Sequence, residues 1–168
     1  MSFFSILKAG ITAMIDDAQK PESHKIGDAF EKYVREFLFI QDYYTLLEKT
    51  HDYQTNKGDY VQSSLKPDYT FQDHYTNGVF FVEAKFRTDL YIDKYVWCNQ
   101  NQLARYNECN KHYPVFIILG FGDDPSSPDA LALLPLSKAK YTGLYPSYLE
   151  RFKIELDRPI TSKILWNR

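Results

Sequence analysis

The sequence is poor in the residues that build cysteine-based metal sites. Its 168 residues include two cysteines, Cys98 and Cys109, with no Cys-x-x-Cys pair and no four-cysteine set. Structural zinc sites and iron–sulfur clusters usually need more thiolates than this. Because structural disulfides belong to oxidising compartments, the sequence predicts two reduced thiols in a cytoplasmic protein.

Long hydrophobic runs are also missing. The apolar segment near the N-terminus is interrupted by Lys8, and it is shorter than the ~20 residues that span a bilayer. It also lacks the basic start and cleavage site of a signal peptide. We therefore expect no membrane partner, and we predict an amphipathic helix over residues 3–18. Its apolar face is a candidate contact in a homodimer or a larger complex, and it comprises Phe4, Leu7, Ile11, Met14 and Ile15.

Several common catalytic motifs do not occur. There is no Gly-x-Ser-x-Gly, no P-loop and no Gly-x-Gly-x-x-Gly, so acyl transfer, NTP hydrolysis and dinucleotide binding lack support. The histidines have neither His-Glu-x-x-His nor His-x-His spacing, and they fit loop or edge positions: His24, His51, His74 and His112.

No strong excess of charge is present either. The net charge is −2 and the isoelectric point about 6.1, which counts mildly against a nucleic-acid binder. It does not exclude a nuclease, because such an enzyme keeps carboxylates at its centre. Aromatic residues are abundant, with 14 Tyr and 12 Phe. They are enough to build a large core, and we predict a single domain over residues 1–168.

Hydrophobic periodicity predicts the order of the elements. A helix is predicted over residues 25–40, a strand over 42–49, a polar loop over 50–66 and a hairpin turning at Asn77-Gly78. A helix over 99–111, a buried strand over 114–121 and a strand over 130–136 follow. This order predicts an α/β fold with a central mixed β-sheet flanked by helices. Its core covers about residues 26–136, and a C-terminal extension over 137–168 carries a short helix near 146–152.

The hairpin carries the residues best suited to catalysis. Asp68 begins its first strand, while Glu83 and Lys85 share one face of the second and Ala84 lies on the other. Strand pairing brings Asp68 towards that second strand. Two carboxylates and an ammonium group would suit metal-assisted phosphodiester hydrolysis with Mg²⁺ or Mn²⁺. The alternative is an ordinary salt bridge at a strand end.

Pro67-Asp68, fourteen intervening residues and Glu83-Ala84-Lys85 resemble the signature of the PD-(D/E)XK nuclease superfamily, over about residues 26–121. The resemblance implies a restriction-endonuclease-like three-layer core in αβββαβ order. It implies a nuclease that acts on nucleic acid, with DNA as the expected substrate, and that holds Mg²⁺ or Mn²⁺ through Asp68, Glu83 and the Ala84 carbonyl. Lys85 would orient or activate the attacking water. A catalytically inactive nucleic-acid-binding or assembly module of the same fold is the alternative.

The resemblance extends to two helices. Glu31 matches a glutamate that the first helix of such nucleases places near the metal, although it could instead pair with Arg35. Gln102 and Tyr106 match the Gln-x-x-x-Tyr segment of the RecB-like branch and could address the site or its nucleic acid. Alternatively, Gln102 completes a capping box with Asn99, and Tyr106 is a core residue. The candidate nucleic-acid-binding rim comprises Lys57, Lys66, Arg87, Lys94 and Arg105.

Overall fold

The computed structural model of the protein describes residues 22–50 and 66–168. Helix α1 (Glu22–Tyr33) continues into a π-helical segment (Val34–Leu38), which confirms the helix predicted over residues 25–40. Its buried residues recur at helical spacing because one face packs on the sheet. The helix predicted over residues 3–18, with its proposed partner contact, lies outside the described residues, as does most of the predicted loop. Within the described part of the chain, no helix is long and apolar enough to cross a membrane.

Three strands follow as an antiparallel meander. They are β1 (Tyr44–Lys49), β2 (Tyr69–Asp73) and β3 (Val79–Arg87). The β2–β3 turn confirms the predicted hairpin, with Asn77 at a positive φ of 57° beside Gly78. This hairpin sets the register of the candidate site.

The chain then crosses the sheet. Helix α2 (Gln100–Cys109) connects β3 to β5 (Val115–Phe121), which runs parallel to β3. The remaining elements are β4 (Tyr95–Val96), β6 (Ala130–Pro135), a 3-10 turn (Leu136–Lys138), β7 (Gly143–Leu144), α3 (Pro146–Leu149) with a 3-10 turn (Glu150–Phe152), β8 (Lys153–Ile154) and α4 (Ser162–Trp166). The result is the predicted α/β class, a six-stranded mixed sheet in the order β1-β2-β3-β5-β6-β8, beside a two-stranded β4–β7 ribbon.

Each face of the main sheet has its own hydrophobic core. The α1 side buries alternate residues of β3, including Phe80 and Val82, against Phe30. The α2 side buries Leu103 and Tyr106 against β5 and β6. Strand β5 is buried along almost its whole length because helices cover both faces.

Residues of the C-terminal extension, which was predicted to follow a core of about residues 26–136, also contribute to this hydrophobic core. Ile160 and Leu165 are buried with α1 and the sheet. The ring of Trp166 packs edge-on against Phe80 and Phe116, with centroids 5.8 and 5.6 Å away. Because these contacts join residues distant in sequence, periodicity alone did not reveal them.

Candidate active site

The position of Asp68 follows from the register of the hairpin. Tyr69 pairs with Val82, so one residue further along, Asp68 lies opposite Glu83. Strand β2 begins at Tyr69, so Asp68 lies just before the strand. Its side-chain Oδ2, rather than a backbone carbonyl, accepts a hydrogen bond of 2.8 Å from the Ala84 amide. The Thr50 amide donates to the Asp68 carbonyl at 2.9 Å, which also fixes the backbone.

Glu83 and Lys85 lie on the same face of β3, the α2 side. Glu83 is only 1% exposed. Its Oε1 forms a salt bridge of 2.6 Å with Lys85 Nζ and accepts a 2.5 Å hydrogen bond from the Tyr106 hydroxyl. Ala84, as predicted, belongs to the core on the opposite face. A buried carboxylate is costly unless it is paired, and these two donors supply the pairing.

The carboxylates around Asp68 act against its ionisation. Burial raises the pKa of Asp68 well above its ordinary value, and the negative charges of Glu83 and Glu31 raise it further. The Lys85 ammonium and the Ala84 amide oppose this rise only in part. Asp68 and Glu83 thus form a site whose negative charge is not fully compensated by the described side chains.

Lys85 keeps its positive charge in this setting. Burial alone would lower the pKa of Lys85, but Glu83 and Asp68 raise it more strongly, and the net shift is upward. Burial and the neighbouring Glu83 carboxylate also raise the pKa of Tyr106, so its hydroxyl stays protonated and donates to Glu83. The cluster therefore contains a cation and a neutral donor, both directed at one carboxylate oxygen.

Glu31 approaches the cluster from α1. The predicted alternative, a pair with Arg35, is not formed, because Arg35 donates to the Phe39 carbonyl and Glu31 contacts Lys49 at 3.4 Å. Burial raises the pKa of Glu31, while Lys49 and Lys85 lower it in part. The sequence analysis did not predict Lys49 as a residue of the site. The feature that could have identified it is its position at the end of β1, where it pairs with Tyr69.

The two residues of the Gln-x-x-x-Tyr segment have different environments. The Gln102 side-chain oxygen accepts from the Asn99 amide at 3.0 Å, and the Asn99 side chain accepts from the Gln102 amide at 2.8 Å. The capping box predicted as the alternative is therefore present, and this oxygen serves the helix start. Tyr106 is only 4% exposed and its ring stacks on Trp97. Tyr106 reaches the cluster through its hydroxyl. The burial of its ring argues against the predicted direct contact of this ring with nucleic acid.

The predicted rim residues are dispersed. Lys66 is paired with Glu48 at 2.7 Å, and Arg87 is held by the carbonyls of Val96 and Trp97. Lys66 and Arg105 both lower the pKa of Cys109 against the larger effect of burial. Lys94 lies elsewhere, over the Tyr145 ring, and Lys57 is outside the described residues. Both cysteines are free thiols, as predicted.

The donor chemistry of the cluster fits a small divalent cation in part. Among residues 22–50 and 66–168, no three or more His, Cys, Asp or Glu side chains are grouped closely enough to hold a metal ion. Glu31 as a third carboxylate ligand beside Asp68 and Glu83 stays a prediction. Two carboxylates are still a sufficient protein contribution for Mg²⁺, which usually retains waters or binds substrate phosphates as well. The Ala84 carbonyl as a ligand stays a prediction.

No protein-family model matches this sequence, and a search of curated proteins finds no significant match.

Proposed function

We propose that this protein is a Mg²⁺- or Mn²⁺-dependent nuclease of the PD-(D/E)XK type that hydrolyses phosphodiester bonds, with DNA as the expected substrate. One observation carries the proposal: Asp68, Glu83 and Lys85 lie together where β2 begins beside the middle of β3. Their arrangement is held by the Asp68–Ala84 hydrogen bond of 2.8 Å and the Glu83–Lys85 salt bridge of 2.6 Å.

The order of the elements supports the proposal. Helix α1 precedes the β1–β2–β3 meander, and α2 then connects β3 to the parallel strand β5. Apart from the short strand β4, this order resembles the αβββαβ order that the PD-(D/E)XK resemblance implies, with Asp68 just before β2 and Glu83 and Lys85 on β3. Fold alone does not establish an activity, so the argument depends on the side chains of the cluster.

The charge at the cluster also supports the proposal. Asp68 and Glu83 are neighbouring carboxylates, and burial and mutual repulsion raise the pKa of Asp68. A hard divalent cation held by these carboxylates would polarise a phosphoryl oxygen and acidify a bound water. A buried acid whose pKa is raised beside a second carboxylate is a feature of many functional sites.

The residues of the chain have distinct proposed roles. Asp68 and Glu83 would bind the cation, with Glu83 oriented by the Tyr106 hydroxyl. The Lys85 ammonium would leave its contact with Glu83 Oε1 and donate to the attacking water or to the oxygens of the scissile phosphate. In hydrolysis, the water oxygen forms a bond to phosphorus and gives its proton to solvent, while the bond from phosphorus to the leaving oxygen breaks and that oxygen takes up a proton from solvent. A fixed ammonium stabilises the negative charge that grows during this exchange.

The proposal is tested by a cleavage assay on linear, circular, single-stranded and branched DNA and on RNA. Each substrate is incubated with Mg²⁺, with Mn²⁺ and with EDTA, using the wild type and the Asp68→Asn and Glu83→Gln variants. We expect cleavage that requires the cation and both carboxylates. The exposed Asp123→Asn variant is the matched control and should retain wild-type cleavage.

Two outcomes would contradict the proposal. Cleavage that persists in EDTA or in both carboxylate variants would point to a contaminating nuclease or another site. Binding of nucleic acid without cleavage of any substrate would favour the alternative, a catalytically inactive module of the same fold.

A further inference from the structure

A second feature lies away from the carboxylate cluster. A groove of 810 Å³ is formed between the β4–β7 ribbon and the segment that follows β6. Three lysines line it, Lys94, Lys138 and Lys140, and no acidic side chain occurs among the described residues of its lining. In a chain with a net charge of −2, such a local excess of positive charge indicates an anionic ligand.

The same groove exposes aromatic rings. Tyr91, Tyr141 and Tyr145 are 69%, 73% and 51% exposed, although tyrosines usually bury much of their ring. Lys94 Nζ lies 4.7 Å from the centroid of the Tyr145 ring, so an ammonium and a ring face share one position. Lysines interleaved with open ring faces match a ligand that alternates negative charge with flat apolar groups.

We propose that this groove binds a single-stranded nucleic acid, whose phosphates contact the lysines and whose unpaired bases stack on the tyrosines. Stacking on aromatic side chains within a positively charged groove is the general way in which proteins hold single strands without reading their sequence. A duplex keeps its bases inside the helix, where exposed tyrosine rings do not reach their faces. The choice of a polynucleotide among possible polyanions rests on the proposed function.

The loop at the mouth of the groove is strained. Ile92 has a φ of 48° and Asp93 a φ of 61°. A β-branched residue rarely adopts this left-handed conformation, and keeping it costs free energy. Ile92 is nevertheless 75% exposed, so the strain does not help to bury it. Backbone hydrogen bonds between Tyr91 and Lys94 close this turn, and Tyr91 and Ile92 both line the groove.

The groove is connected to the candidate active site through Trp97. The backbone amide of Trp97 donates to the Thr142 carbonyl and its indole Nε1 to the Tyr141 carbonyl, at 2.9 and 2.8 Å. The Trp97 ring stacks on Tyr106, which donates to Glu83. Buried contacts therefore link the groove residues Tyr141 and Thr142 to the carboxylate cluster.

The test measures binding in EDTA, where no cleavage is expected, by fluorescence anisotropy of a labelled single-stranded oligothymidylate and of a duplex of equal length. Loss of one stacked base lowers affinity by about five- to a hundred-fold, so Tyr141→Ala should weaken single-strand binding by that factor. Tyr141→Phe, which keeps the ring, should bind like the wild type. Affinity falls as salt rises, and the Lys138→Ala/Lys140→Ala variant should make this negative slope of log affinity against log salt shallower by about 1.4.

Matched controls lie elsewhere on the surface. Tyr75→Ala removes a ring that is 88% exposed in the β2–β3 turn, and Lys163→Ala removes an exposed lysine of α4. Both should bind like the wild type. The proposal fails if the groove variants bind like the wild type, if the controls lose as much affinity, or if the duplex binds as tightly and depends equally on Tyr141. Because no outcome depends on cleavage, the binding result can be interpreted even if the nuclease assay fails. If the protein cleaves DNA but the groove variants bind single strands like the wild type, only the groove proposal is overturned.

Discussion

The Tyr106 hydroxyl donates a 2.5 Å hydrogen bond to Oε1 of Glu83, joining the middle of α2 to the middle of β3. Both residues are almost completely buried. This contact means that the helix core and the carboxylate cluster depend on each other.

Tyr106→Phe should destabilise the protein by about 1.5–3 kcal/mol, because a buried carboxylate loses a donor while the ring and its packing remain. Urea unfolding monitored by circular dichroism measures the change. Tyr75→Phe, at an exposed position, is the control and should leave the free energy of unfolding unaltered. If Tyr106→Phe is as stable as the wild type, water or another group must replace the hydroxyl at Glu83.

Lys85→Met should reduce turnover by about 10²–10³-fold, the usual cost of losing a preorganised electrostatic donor. Methionine keeps most of the stem, but Glu83 loses its salt bridge, so the variant's melting temperature must be measured beside its cleavage rate. Lys163→Met, on the exposed face of α4, is the control. A folded Lys85→Met protein that cleaves at the wild-type rate would remove Lys85 from the proposed mechanism.

Asp68→Asn should remove the stabilisation that Mg²⁺ or Mn²⁺ gives to the folded protein. In EDTA, the variant should be more stable than the wild type, because it no longer places a negative charge beside Glu83 and Glu31. Thermal melting with and without the cation tests both statements, and calorimetry measures the affinity. Equal cation-dependent shifts in the variant and the wild type would place the metal elsewhere.

Asp73→Asn should make stability less dependent on acid pH. Burial raises the pKa of Asp73, but donors that include Ser162, Trp166 and Thr76 lower it below its ordinary value of 3.8. A depressed folded-state pKa contributes stability that is present above the unfolded value and is lost as pH falls through the folded value. The wild type should therefore lose this contribution below about pH 4.

At neutral pH, Asp73→Asn should cost about 1–3 kcal/mol, because the neutral amide accepts less strongly from these donors than the carboxylate does. Denaturant unfolding at neutral pH and at pH values below the ordinary pKa of aspartate measures both effects, with the exposed Asp42→Asn variant as control. A variant with the wild-type pH profile would show that Asp73 does not govern acid stability.

Gly120→Ala should destabilise the protein by about 1–3 kcal/mol through overpacking. A Cβ there would overlap the Phe30 ring of α1 and lie 2.9 Å from Phe86 Cδ2. Gly27→Ala is a matched control, since a Cβ at that α1 position meets nothing within 4 Å. It should raise stability by up to about 1 kcal/mol through helix propensity. Thermal unfolding of both variants should give shifts of opposite sign, and equal signs would contradict this packing.

Local chemistry explains what the sequence by itself determined. Asn77-Gly78 specifies a tight hairpin, and alternation along β3 places Glu83 and Lys85 on one face. Asn99 and Gln102 form the predicted capping box because both groups lie within one helical turn. These features need only neighbouring residues, so both main helices, the pairing of Asp68 with β3 and the five long strands were predictable, whereas the two-residue strands β4, β7 and β8 were not.

Long-range packing decided the rest. Trp166 donates to Asp73 across 93 residues, which brings a helix of the C-terminal extension into the hydrophobic core. The partner of Glu31 is Lys49 of β1 rather than Arg35 of its own helix, because the sheet brings that lysine to the helix. The groove likewise exists only because β4 pairs with β7. No local pattern specifies such contacts, since each depends on how distant segments pack around the same sheet.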